Sequence, residues 1–147
     1  MEIMVALGIG SIVLLAIAVV LVGGQRTLDR TLQQANLQRD ASRAMLQIKQ
    51  CIRFATSATT NSDGNEVTIQ STGGWAKFRF IQAQKDLRYQ LEGEDEQTLL
   101  DGIVENAAFE IDPATGKMIT VDLKLQNNGS ETRISSTTMM RNRIEGT

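Results

Sequence analysis

From Ile3 to Gly24 the chain is apolar at every position but Ser11. At 1.5 Å per residue such a helix is roughly 33 Å long, the thickness of a bilayer's hydrocarbon core. β-branched residues are common in this run. They are poor formers of soluble helices but acceptable in lipid, where an unpaired backbone costs more. A cleaved secretory signal is the competing reading, but the run is long for a signal core and no basic segment precedes it. One carboxylate, Glu2, stands directly before the apolar run. Ala6 and Gly10 form a small-xxx-small pair on which another helix can approach closely.

Setting the span aside leaves roughly 120 of 147 residues, enough for one modest core. Formal net charge is −2 and histidine is absent. That composition gives no electrostatic footprint for nucleic acid and removes the commonest general base and metal ligand. The single cysteine, Cys51, has no internal disulfide partner. Arg26, Arg30, Arg39 and Arg43 follow the span, so charge taken alone places that side in the cytoplasm.

Beyond Gly23-Gly24 the helical period resumes. Leu28, Leu32 and Ala35 form one stripe, and Ala41, Ala44, Met45, Ile48, Cys51, Ile52 and Ala55 recur at spacings of three and four. The phase shifts near Leu37, which argues against a sustained heptad. The opposite face carries Gln33, Gln34, Gln38, Arg39, Arg43, Gln47, Lys49 and Arg53. No proline interrupts residues 1–54, so one helix is predicted from about residue 2 to about residue 56. Its membrane half is 1–24 and its amphipathic outer half 25–57, with Cys51 on the apolar stripe as a small core residue.

Residues 56–64 read as a loop. The period then falls to two, through Val67 and Ile69, Ala76 to Phe80, Leu87 to Leu91, Ile103 to Ile111, Ile119 to Leu125, and Thr132 to Met139. Each run is apolar on one face. The expected fold is α+β: a long N-terminal helix packed on an antiparallel sheet formed by 58–147.

Chemistry is sparse. Asn61, Asp63, Asn65 and Glu66 surround Gly64, which comes too early for a calcium loop; they read as a turn. Glu92, Glu94, Asp95 and Glu96 read as a solvated acidic loop, with calcium or a basic partner as the functional alternative. Gly116-Lys117 lacks the flanking residues of a phosphate loop, and Arg141 and Arg143 are too few for a nucleic-acid surface. No nucleophile is paired with a base, so the expectation is no enzyme, no cofactor and no metal.

The stretch Glu2-Ile3-Met4-Val5-Ala6-Leu7, followed by a long apolar helix, resembles the N-terminal segment of type IV pilins and type II secretion pseudopilins. In that family a short basic leader ends in glycine, a peptidase cuts after it, and the new N-terminus is methylated. Here the motif is present from the glutamate onward: either the true start lies upstream of Met1, the favoured reading, with a prepilin peptidase as processing partner, or the chain cannot be processed. The leader would then supply the cytoplasmic positive charge, resolving the orientation conflict. Arg39 to Phe54, Leu99-Leu100-Asp101-Gly102-Ile103 with Phe109, and Met140-Arg141-Asn142 are similar to PilW-type minor pilins and J-type pseudopilins. The resemblance implies a filament subunit, acting in initiation or at the tip, with other pilin or pseudopilin subunits as partners. It would rest in the inner membrane, single-pass with the C-terminal domain outside the cytoplasm, before entering a filament. Glu2, Ala6 and Gly10 are its candidate assembly residues, with Glu2 meeting the N-terminal amine of a neighbouring subunit. The alternative is a single-span membrane adaptor or sensor with an extracytoplasmic β domain.

Overall fold

A computed structural model describes residues 2–141, without the side chains of Glu2, Met4, Val5 and Ala6. It is an α+β protein. The helix α1 runs unbroken over Glu2–Arg53, 52 residues, or roughly 78 Å. The hydroxyls inside its N-terminal half turn back onto its own carbonyls, Ser11 Oγ donating to Gly8 O at 2.8 Å and Thr27 Oγ1 to Gly23 O at 3.0 Å. Such back-bonding satisfies a hydroxyl where no water is at hand. The helix stops at Arg53 because the run Ala55-Thr-Ser-Ala-Thr-Thr favours the extended backbone.

Eight strands follow: β1 (Ala55–Thr60), β2 (Glu66–Ser71), β3 (Gly74–Ile81), β4 (Asp86–Leu91), β5 (Gln97–Leu100), β6 (Val104–Ile111), β7 (Met118–Asn127) and β8 (Ser130–Met139). They form two antiparallel meanders, β1-β2-β3-β4-β5 and β6-β7-β8. This corrects three expectations. The helix ends at Arg53 and not near 56, so residues 55–57 leave the outer half of the helix for β1. The supposed loop from Thr56 contains β1, which pairs with β2 from Ala55↔Ser71 to Thr60↔Val67 around a bulge. One sheet becomes two, because β6 runs across the turns of the first sheet without joining it. Its backbone is tied there by Phe109 N donating to Gly64 O at 2.7 Å and Val104 N to Lys85 O at 2.9 Å.

The core lies between α1 and the inner faces of both sheets. The period of two in β7 is fully expressed: Ile119, Val121, Leu123 and Leu125 are all buried. From the first sheet come Val67, Ile69, Phe78 and Leu87, and from the helix Ala41, Ala44, Ile48 and Ile52. The helix approaches β8 and β7 most closely. Asn128 and Gly129, both with positive φ (47° and 82°), make the tight turn between those strands. That conformation is what a two-residue hairpin loop requires, and Asn-Gly adopts it readily.

Candidate functional site

The domain holds only the C-terminal third of the helix. Among the described side chains of α1, Leu37 is the first that is buried. Residues 25–36 are exposed apart from the half-buried Gln33, which leaves a bare stalk about 18 Å long. Below it the apolar half is bare as well: Leu7 is 70% exposed, Leu14 70% and Leu21 62%. Exposed apolar surface on this scale, on a helix long and apolar enough to cross a membrane, calls for lipid or for other helices.

Of the assembly residues expected from sequence, Glu2 and Ala6 lie in α1 with side chains outside the described set. Gly10 is one turn beyond Ala6, and a Cβ placed there would meet no atom within 4 Å. At Gly10 nothing among the described residues crowds the helix.

Leu28, Leu32 and Ala35 do not continue the stripe that packs on the sheets. Leu28 and Leu32 are 63% and 60% exposed, and they precede Ala44 and Ile48 by sixteen residues each. At 100° per residue that is roughly 160° around the helix, nearly the opposite side. The phase shift near Leu37 marks two different faces. Cys51 packs against the core yet is only half-buried, bordering a groove of about 530 Å³ with Phe54, Trp75 and Leu91. Burial pushes its thiol pKa up, only partly offset by a backbone hydrogen bond.

The polar clusters serve the fold. Asn61 Nδ2 donates to Asn65 Oδ1, and Asn61 Oδ1 accepts from Glu66 N at 3.1 Å, closing the β1–β2 turn. In the acidic loop, Glu96 bridges Arg79 at 2.7 Å and Arg88 at 3.3 Å, while Glu92 Oε2 accepts from Trp75 N at 3.2 Å. Its basic partners thus include two arginines of its own sheet. Among the described residues no three His, Cys, Asp or Glu side chains gather as a metal site needs. The sequence reading passed over Asp86. It is 5% exposed and joins β4 to the segment after β5 by accepting from Gly102 N at 2.9 Å and pairing with Arg88 at 3.2 Å. An acidic residue after a lysine at a hairpin end reads as turn chemistry, and only the fold brings Gly102 to it.

No protein-family model, curated protein or solved structure matches the chain. The geometry defines an α+β protein with a candidate membrane-spanning helix standing clear of its own domain.

Proposed function

We propose that this chain is a structural subunit, a minor pilin or pseudopilin, of a type IV pilus or type II secretion filament. One observation carries the reading: an unbroken helix whose outer third is gripped by a β domain while the described side chains of its apolar half are exposed. The resemblance around Glu2 to Leu7 supports it. Before assembly the span rests in the inner membrane with the β domain outside the cytoplasm; afterwards apolar helices of neighbouring subunits replace lipid. Glu2 then faces the N-terminal amine of a neighbour. An unpaired charge in a dry filament interior is costly, so pairing it fixes the register of assembly.

The test is a fractionation of cells expressing the gene from its own locus, comparing membrane and sheared-filament pools. Glu2→Ala should leave insertion and the folded domain intact, since it makes the span more apolar. It should empty the filament pool. Glu2→Gln should do the same, because an amide does not balance an amine charge in a dry interior. Wild-type filament levels in both variants would reduce Glu2 to a helix-terminal acid, worth about 0.3–1 kcal/mol, and would sink the reading.

A further inference from the structure

We infer that the notch between the last turn of α1 and the outer edge of β8 binds a small tetrahedral oxyanion of the phosphate or sulfate class. The site lies within the folded domain, so it goes beyond the proposed function and does not depend on it.

Lys49 and Arg53, one turn apart on α1, line one side of the notch, and Thr137, Thr138, Met139 and Arg141 line the other. The two sides join where Arg141 N donates to Arg53 O at 3.3 Å. The lining carries three cations and no carboxylate. Elsewhere in the domain Lys77, Arg79, Arg88, Lys124 and Arg133 each pair with a carboxylate. Among the described residues Lys49, Arg53 and Arg141 pair with none. A helix C-terminus attracts cations by itself, which accounts for Lys49 and Arg53. It does not account for Arg141, which arrives from another element, or for Thr138. Thr138 is only 9% exposed, and its hydroxyl has no hydrogen-bond partner among the described residues. The oxygen still reaches solvent, and the notch is where it does so. A hydroxyl this buried is costly without a partner, and an oxyanion in the notch supplies the acceptor. The edge of β8 adds a further donor. Met140 N points to Lys117 O at 2.8 Å, so the Met139 N–H points the other way, out of the free edge of the sheet. The donors therefore come from a helix, a strand and the chain beyond it, directions that four tetrahedral oxygens match and a planar carboxylate does not. At about 270 Å³ the notch lies below the roughly 300–1,000 Å³ of clefts that take drug-sized ligands. Lipid headgroups carry the same chemistry but lie out of reach. Lys49 is 25 residues beyond Gly24, roughly 38 Å along the helix, while headgroups extend about 5–8 Å past the hydrocarbon.

The test is equilibrium dialysis of the full chain, in a neutral detergent, against radiolabelled inorganic phosphate in sodium chloride at physiological ionic strength. A single class of phosphate site is expected, displaced by sulfate and not by further chloride. Lys49→Gln and Arg141→Gln should each weaken binding roughly tenfold or more, and Thr138→Val about threefold, the ranges for losing a charged and a neutral donor. Lys49→Arg keeps the charge and should bind within about twofold of wild type, as should Arg30→Gln on the stalk. Circular dichroism and thermal melts without phosphate establish that each variant is folded. Doping the micelles with phosphatidylglycerol should leave phosphate binding unchanged. Displacement by that lipid would assign the notch to headgroups and overturn the solute reading. Displacement by chloride, no binding to the folded wild type, wild-type affinity in the Lys49→Gln and Arg141→Gln variants, or equal weakening in Arg30→Gln would leave only diffuse surface charge and overturn the site. None of these outcomes bears on Glu2 or on filament assembly.

Discussion

Asp86 shows how one side chain joins elements that the sequence keeps apart. The Gly102 backbone N–H, and then the Arg88 guanidinium, hold its carboxyl below the ordinary carboxylate range despite burial. A folded-state pKa that is lowered adds stability above the unfolded value, near 3.9, and loses it as pH falls through the folded value. Asp86→Asn should therefore lower unfolding stability near pH 7 by about 1–3 kcal/mol, the range for removing a charged hydrogen-bond partner from a buried site. The gap to wild type should narrow below about pH 4. Urea midpoints measured from pH 7 to pH 2 check this, and a constant gap would count against it. Cys51 allows a second test at this scale. With its thiol pKa raised and its surface half-buried, alkylation by iodoacetamide at pH 8 should be several-fold slower in the folded chain than in denaturant. Equal rates would place the sulfur on the open surface.

Among the elements, α1 has three stretches on one continuous backbone: an apolar run long enough to cross a membrane, a bare stalk and a packed outer third. The packed third is amphipathic in the ordinary sense, and its two faces differ sharply in what they contribute. Ile48 and Ile52 are fully buried in the core, whereas Leu46, on the far side, is 60% exposed. Ile48→Ala should cost about 2–5 kcal/mol, the range for emptying a buried aliphatic site. Leu46→Ala should change stability by no more than about 0.5 kcal/mol, as surface substitutions do. Thermal melts of both variants check the assignment of faces, and similar losses would refute it. The strands differed in how openly they declared themselves. β7 was plain in the sequence because Ile119, Val121, Leu123 and Leu125 alternate with polar residues and meet the core on one side. β1 was hidden because Thr56, Ser57, Thr59 and Thr60 give no alternation. An edge strand with one neighbour is held by backbone pairing to β2, and that leaves little trace in hydropathy. β5 is four residues long and ends at the single buried side chain of Leu100, too short a run to show a period.

At the scale of the whole molecule, the division falls between the free half of α1 and everything after it. Among the described residues no core side chain precedes Leu37, so removing residues 1–24 should take away the exposed apolar surface without touching the packing. The fragment 25–147 should be soluble, folded and monomeric, with the mixed helix and sheet signature in circular dichroism and a single monomer in sedimentation. A disordered chain or obligate aggregation would refute this division. What the sequence by itself determined is whatever depends on local order. The candidate span follows from an unbroken apolar run, the helix from residues without proline, the paired β runs from alternation, and the α+β class from their succession. The exposed apolar half of the helix was legible for the same reason, since an apolar run needs no tertiary contact to be recognised. The tertiary structure alone decided what depends on residues distant in the chain. It split the strands into two sheets, because β6 crosses the turns of the first through backbone hydrogen bonds that any side chain permits. It buried Asp86 against Gly102. It also turned Leu28, Leu32 and Ala35 away from the core, because helical phase fixes only the angle between two stripes, and the docked domain chooses which of them is covered.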